Sequence, residues 1–467
     1  MQKIILTFFL MISLNVFAQE KWSLEKCINY ALENNIQIKQ QELNTKISEV
    51  KLNQKKATIL PSLNAGANQN FTFGRSVDPF TNQFSTSNTK SNNFSLQSSL
   101  TLFNGFQNIN NLKKAKLDLK ASLENLQKLK NDISLNIASA YLNILFNNEI
   151  LKTAKQQAEI TKLQVERTKK LVNAGNLSQD NLLTIESQLA SEELQIVKAE
   201  NQYKMSILTL QQFLDLDTLK DFKIVIPENI KITENNDTPD EIYQTAIKNL
   251  PQIRAAEYNL QSSQQSLQIS KGMLSPRLVL NGSYGTGYSD QRQIPTGPPI
   301  ISSYISGYTE SLENVYSYKM NYDYTTKPFN DQIKDNANFS LSFSLSIPIF
   351  NGFQTKSNID NSKINVLNNQ YNLKLAKNQL YKDIQQQYFD VKAAIKKYYA
   401  AKKAVDANKL SFNLKQEKFN VGLINSVDYN IAKNNLFKAK SDFLQAKYEY
   451  LFKSKILDFY KGKNIKL

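Results

Sequence analysis

Apolar residues recur at steps of three and four through two long stretches, at Leu112, Ala115, Leu119, Leu123, Leu126, Leu129, Ile133, Ile137, Ala140 and Ile144, and again at Leu380, Ile384, Tyr388, Val391, Ile395 and Tyr398. That spacing puts one buried stripe on each of two helices. No glycine or proline interrupts the 69 residues between Gly105 and Gly175, nor the 69 between Gly352 and Gly422. A continuous helix of that length runs about 100 Å. Beyond each second glycine a helical pattern returns, from Leu177 to about Leu216 and from Ile424 to about Phe459, which predicts two long antiparallel hairpins. The Lys, Gln, Asn and Glu on the other faces read as solvated helix surface.

Elsewhere the period drops to two. Phe339, Leu341, Phe343, Leu345, Ile347 and Ile349 alternate with Ser340, Ser342, Ser344, Ser346 and Pro348. Leu63 to Phe73 alternates in the same way, Phe94, Leu96, Leu100 and Leu102 mark a third strand in which Ser98 is the exception, and Leu278, Leu280, Tyr284 and Tyr288 mark a weaker fourth. Each spans about 11 residues, the length with which a tilted strand crosses a bilayer. One such strand taken alone favours a half-buried place in a soluble sheet. Four matched strands in an exported chain point to the membrane.

The chain repeats itself. Leu102-Phe-Asn-Gly-Phe-Gln107 returns as Ile349-Phe-Asn-Gly-Phe-Gln354, and Asn173-Ala-Gly175 as Asn420-Val-Gly422, at an offset of 247. Ala31, Asn34, Ile38, Glu42, Asn44 and Pro61 return as Ala246, Asn249, Ile253, Glu257, Asn259 and Pro276 at an offset of 215. This is an internal duplication whose second copy gained 32 residues between Pro276 and Gly352. The insertion reads as a surface loop, rich in tyrosine at Tyr304, Tyr308, Tyr316, Tyr318, Tyr322 and Tyr324, either plain or folded over an outer mouth or binding ligands.

The expected layout has first-copy helices at 19–60, a strand pair with its outer loop at 61–104 and a helical hairpin at 105–216. A connector at 217–237, with a short strand in Phe222–Ile226, leads to second-copy helices at 238–275. The second strand pair with its long outer loop occupies 276–350, the second hairpin 351–460 and a tail 461–467. Thr238-Pro-Asp-Glu241 has the make-up of a capping box with proline in the first turn, and Pro251 splits this segment into a short and a longer helix.

Composition narrows the chemistry. There are 57 Lys+Arg against 41 Asp+Glu, a net charge of +16, no histidine, and a single cysteine, Cys27, expected half-buried on a helix. His-based acid/base catalysis, ordinary zinc sites and an internal disulfide are thereby excluded. No catalytic residue, cofactor or metal ligand is assigned, and an enzyme is not expected. Five of the basic residues are arginine and the lysines are scattered, which argues against nucleic acid as a partner. The charge suits anionic lipid headgroups or plain solvation. Lys3 precedes an apolar run from Ile4 to Phe17, and Val16-Phe17-Ala18 supplies a cleavage site, so 1–18 reads as an export signal rather than an anchor. Nothing after residue 18 is apolar enough to span a membrane as a helix, so insertion must use strands.

Four strands cannot close a barrel, and an open edge in lipid leaves backbone groups unpaired, so copies of the chain must pool their strands. With its two Leu/Ile-Phe-Asn-Gly-Phe motifs, its two prolines at strand starts and its two Asn-x-Gly hairpin tips, the chain resembles the TolC family of outer membrane efflux channels from about Trp22 to Phe459. The resemblance implies an α+β membrane protein in the cell outer membrane. It would be a homotrimer, each chain contributing four transmembrane β-strands to a 12-stranded barrel, with the long hairpins forming a periplasmic tunnel belted at mid-length. It further implies an exit duct for efflux or type I secretion whose partners are a periplasmic adaptor (membrane fusion) protein, an inner membrane pump and outer membrane lipid.

By position, the adaptor would meet Ala174, Gly175, Asn176 and Leu177 on one tip and Val421, Gly422, Leu423 and Ile424 on the other. Asp428, six residues after the second tip glycine, falls where the family carries a constriction aspartate, and Asp180, five after Gly175, is its first-copy counterpart. Plainer readings stand beside these: the glycines as helix reversals, the aspartates as helix-start carboxylates. Ile431 and Ile424 occupy positions where the family often carries an acidic and a basic residue, so the closing network must be differently built. The competing class is an exported trimeric coiled-coil structural or adhesive protein with no transport activity.

Overall fold

The computed structural model describes residues 21–77, 82–86, 88–216, 222–227, 232 and 237–463. The expected export signal and much of the connector lie outside them. In chain order, α1 (Leu24–Asn34) and α2 (Ile36–Ala57) lead to β1 (Ser62–Thr72), the short β2 (Ser76–Val77) and β3 (Phe84–Ser85), β4 (Thr89–Asn104), α3 (Gln107–Asn173) and α4 (Gln179–Phe213). The second half runs α5 (Pro239–Asn249), α6 (Pro251–Gly272), β5 (Arg277–Ser289), β6 (Gln293–Tyr308) and β7 (Asn314–Thr326). It ends with α7 (Phe329–Asp335), β8 (Asn338–Ser346), α8 (Gln354–Asn420) and α9 (Ser426–Tyr460). The duplication holds to the residue: α1 and α2 return as α5 and α6 at the 215 offset, α3 and α4 as α8 and α9 at the 247 offset, with identical lengths.

Local chemistry sets the helix starts. The Ser23 side chain accepts from the Lys26 N–H, and Asn35 Oδ1 accepts from the Gln37 and Ile38 N–H groups at 3.0 and 3.3 Å, separating α1 from α2. In the second copy Thr238 and Glu241 form the expected reciprocal capping box, and Pro251 opens α6 where its missing N–H costs nothing.

The chain divides into two compact units. One contains the described residues of 21–50, 116–262 and 367–463. Its first-copy core packs Cys27, Ala31, Ile38, Ile133, Ile137 and Ile144, and its second-copy core packs Ala246, Ile253, Leu380, Ile384 and Val391, positions related by the same offsets. The ion pair Lys130–Glu42 at 3.0 Å likewise returns as Lys377–Glu257 at 3.2 Å. Cys27 is wholly buried rather than half-buried, and burial pushes its thiol up to about 12. The short strand expected in the connector is a single parallel bridge, Trp22 to Ile224, with the Tyr141 hydroxyl donating to the Val225 carbonyl beside it.

The other unit comprises 51–115 and 263–366 and holds a four-stranded antiparallel sheet in the order β1-β4-β5-β8. Its register aligns Ala65 with Leu96, Leu96 with Tyr284, and Tyr284 with Phe339. One face therefore carries Leu63, Phe94, Leu96, Leu280, Tyr284, Leu341 and Phe343, and the other Asn64, Asn68, Ser95, Gln97, Asn281, Ser283, Ser340 and Ser342. Every residue of β1 and β8 is exposed. Strand β8 stops at Ser346, short of the expected Ile349, because Pro348, which stands where β4 has Thr101, has no N–H to offer the ladder. Below the sheet, Gly105 (φ +62°) approaches α6 so closely that a Cβ on it would lie 2.4 Å from the Gly272 carbonyl oxygen.

The insertion expected as a loop is ordered chain: β6 and β7 form a hairpin, and α7 returns to β5. Gln332, fully buried, bonds both the N–H and the carbonyl of Ser289 and the carbonyl of Lys327, while Phe329 packs edge-on to Phe94. Gly297, Pro298 and Pro299 inside β6 disguise the strand in the sequence, and the register shifts there, between Thr296 and Ile300.

Candidate functional site

The two helical hairpins turn by one backbone device. At the end of α3, Gly175 (φ +76°) donates its N–H to the Val172 carbonyl at 2.9 Å while the Asn176 N–H reaches the Leu171 carbonyl at 2.9 Å. At the end of α8, Gly422 (φ +80°) donates to Phe419 at 3.1 Å and the Leu423 N–H to Lys418 at 2.9 Å. This double termination needs a left-handed residue, which glycine adopts without a Cβ penalty. Asn425 then caps α9, its Oδ1 accepting from the Asp428 N–H at 2.9 Å. Ser178 holds the equivalent place before α4 without a side-chain cap bond.

Of the expected tip residues, Ala174, Gly175, Asn176, Leu177, Val421, Gly422 and Leu423 are exposed. Ile424 is not: it turns inward onto the cluster of Phe412, Tyr429, Ala432 and Leu436. Asp180 and Asp428 both lie in the first turn of their helices, Asp180 exposed and Asp428 half-buried, and each sits on its own hairpin. Among the described residues neither carboxylate forms an ion pair.

What joins the two hairpins is a set of contacts the sequence pattern did not disclose. Arg167 on α3 reaches the Asn420 side chain and donates to its carbonyl at 2.9 Å, closing the C-terminus of α8. Deeper in, Lys433 of α9 is 2% exposed and its Nζ lies 3.0 and 3.2 Å from the carboxylate oxygens of Glu192 on α4. Thr161 on α3 bonds both partners, and Gln188 and Gln157 donate to Glu192 at 2.8 and 3.3 Å. Burial draws the Lys433 ammonium below the usual lysine range against the opposing pull of Glu192. Burial, with the Glu192 charge adding to it, pushes the Tyr429 phenol up to about 12. Tyr429 stacks on Phe419 with ring centroids 4.8 Å apart.

Lys433 and Glu192 therefore correct the reading of these polar faces as wholly solvated. No local signal marks them, since their partners lie far along the chain. Arg167 did carry a signal, as one of few arginines in a lysine-rich chain, with the planar fork that a helix end accepts. The whole arrangement holds two tips in fixed relation and offers an exposed, mixed polar and apolar surface.

The model of the outer membrane efflux protein family matches residues 27–215 and 242–462, one segment for each copy. The chain belongs to that family. Outer membrane protein TolC of Escherichia coli K12 is 22% identical to this efflux protein over 407 residues, 86% of this chain and 74% of TolC. Among solved structures, VceC of Vibrio cholerae superposes with a TM-score of 0.75 at 13% identity, covering 95% of this chain and 97% of VceC. The CmeC outer membrane channel of Campylobacter jejuni gives 0.74 at 17% identity, covering 94% and 85%. The efflux-protein fold, duplication included, is thus common to chains that share little sequence.

Proposed function

We propose that this outer membrane efflux protein works as a homotrimeric exit duct of a tripartite efflux or type I secretion system, passing substrates from the periplasm or an inner membrane pump to the exterior. The observation that carries this reading is the sheet. It has one Leu/Phe/Tyr face, one Ser/Asn face, and two unpaired edges in β1 and β8. Such an object is unstable alone in water and impossible alone in lipid, where every backbone group must be paired. Strands β1, β4, β5 and β8 alternate in direction, so β8 of one copy can pair antiparallel with β1 of the next. Three copies then close a barrel of about 12 strands with its apolar face to lipid and a wet, serine-lined lumen.

The tips supply the other end. Ala174, Gly175, Asn176 and Leu177, with Val421, Gly422 and Leu423, form the surface for a periplasmic adaptor, and Ile424 supports it from beneath. Asp428 would form an acidic ring around the axis able to bind cations. The offset of 247 pairs it with Asn181, so Asp180, whose second-copy equivalent is Val427, stands one position away in the first turn of α4. The competing class, an adhesive or structural coiled coil, has no support from the family match.

Reconstitution in planar bilayers tests the duct: discrete conductance steps from a detergent-purified trimer are expected, and a detergent-free trimer without conductance would refute it. Asp428→Asn should relieve cation block of that conductance. An unchanged block removes Asp428 from the constriction.

A further inference from the structure

The tyrosines of the insertion fall into order once the register of β6 and β7 is followed. Along β7, Tyr316, Tyr318, Met320, Tyr322 and Tyr324 alternate with Ser317, Lys319, Asn321, Asp323 and Thr325. The pairing sets Ile305 opposite Tyr316 and Ile301 opposite Met320, on the first of these two faces. That face carries no charge and stands exposed, Tyr318 at 75% and Met320 at 60%. Lys319 and Asp323 lie on the other face, where Asn321 donates to Ser302 Oγ at 2.8 Å and Ile300 and Tyr304 are the apolar members. A two-stranded hairpin with an uncovered apolar face is marginal in water, so something covers this one.

The hairpin is rooted on one side of the main sheet. Phe94, Thr286 and Tyr288 share the face of Leu96, Leu280 and Tyr284, the apolar face read above as turned to lipid. Helix α7, which closes the insertion, lies on that face at the end of β5 away from α6. The Phe329 ring meets those of Phe94 and Tyr288 at 6.3 and 5.4 Å, and the Thr286 hydroxyl donates to the Ile333 carbonyl at 2.5 Å. The bonds from Gln332 to Ser289 and Lys327 tie both ends of the hairpin to this helix. The insertion therefore leaves the sheet on its lipid side rather than over the polar face that would line the bore.

We propose that the apolar face of the β6–β7 hairpin lies on the outer surface of the membrane, at the boundary of headgroups and acyl chains, an inference that rests on the membrane placement of the main sheet. Composition selects this occupant. The lipid face of the sheet is built of leucine and phenylalanine, as at Leu341, Phe343 and Leu345, whereas the hairpin face is mostly tyrosine. A tyrosine ring has an apolar body and a polar tip, which suits the interface better than the hydrocarbon. Both edges of the hairpin are unpaired, which the hydrocarbon forbids and the hydrated headgroup layer allows. Through Phe329, α7 also continues the aromatic rim of the sheet toward the hairpin, so the two lipid-facing surfaces are contiguous.

A tryptophan placed on each face reads its depth. The chain has one native tryptophan, Trp22, whose signal is subtracted using the wild type. Tyr318→Trp and Lys319→Trp put the probe on the apolar and the polar face of one strand. The intact trimer is reconstituted in phosphatidylcholine vesicles, and in the same vesicles with acyl chains brominated near the glycerol, and its conductance checks assembly. Tyr318→Trp should lose roughly half its added emission to the bromines, since a ring seated about 5–10 Å into the boundary lies within their reach, and Lys319→Trp should lose almost none. Acrylamide in the water should quench the two in the reverse order. Tyr322→Trp repeats the apolar-face measurement should Tyr318→Trp fail to assemble. Equal bromine quenching on both faces, or none on either in a channel that conducts, overturns the membrane seat and leaves the duct standing. A Tyr318→Trp probe shielded from both quenchers has protein over it, another copy or a partner, and overturns the seat equally. A wild-type chain that gives no conductance in these vesicles overturns the duct itself.

Discussion

Removing the charge of Lys433 while keeping its stem isolates the buried link between the hairpins. In Lys433→Met the Glu192 carboxylate, 7% exposed, keeps only Thr161, Gln188 and Gln157 as donors. Breaking a buried pair by removing one partner costs about 3–5 kcal/mol, because the remaining ion is still desolvated. The three surviving donors place the expected loss near the lower end, about 3 kcal/mol. Replacing both residues, Lys433→Met with Glu192→Met, removes the desolvation penalty together with the attraction, so the double variant should return to within about 1 kcal/mol of wild type. The assay is loss of helical circular dichroism with denaturant in detergent micelles, at one protein concentration for all four proteins, so that oligomer mass action cancels. Hydrogen exchange at amides 426–440 gives a local readout, expected to quicken in the single variant and recover in the double. Losses that simply add, with coupling below about 0.5 kcal/mol, would refute the buried link as a coupled unit.

Alkaline titration probes Cys27, Tyr429 and Tyr448, each held to about 12 by burial against ordinary values of 9.0 for the thiol and 10.0 for the phenols. The native state keeps these protons when the unfolded chain has lost them, so their stabilisation is complete below the ordinary values and is lost as pH rises through about 12. Ultraviolet phenolate absorbance should show a late-titrating fraction that shrinks in Tyr429→Phe and Tyr448→Phe, and no late fraction would contradict the burial. Thr238→Ala removes the capping box of α5 and should cost about 1 kcal/mol, with amides at the start of that helix exchanging faster. Gly272→Ala would set a Cβ 2.5 Å from the Gly105 carbonyl oxygen and should cost more than about 1–3 kcal/mol, since backbone rather than a side chain must move; near-normal thermal stability would contradict the close approach.

The long helices, the four strands of the main sheet, both hairpin reversals and the duplication were legible in the order of residues alone. Each depends on short-range physics: a three-to-four spacing, an alternation of two, glycine supplying positive φ, and a long stretch with no breaker. The opposite faces of the sheet were legible for the same reason, because side-chain direction alternates along any strand. The tertiary structure decided what depends on pairing across long separations. It turned Ile424 inward, buried Cys27 completely, and picked Lys433 and Glu192 out of helical faces crowded with similar charges. It also made a strand of β6 despite its glycine and two prolines. Periodicity states that a face exists, but which member of that face is shielded from water depends on a neighbour some 200 residues away, and no local pattern encodes that distance.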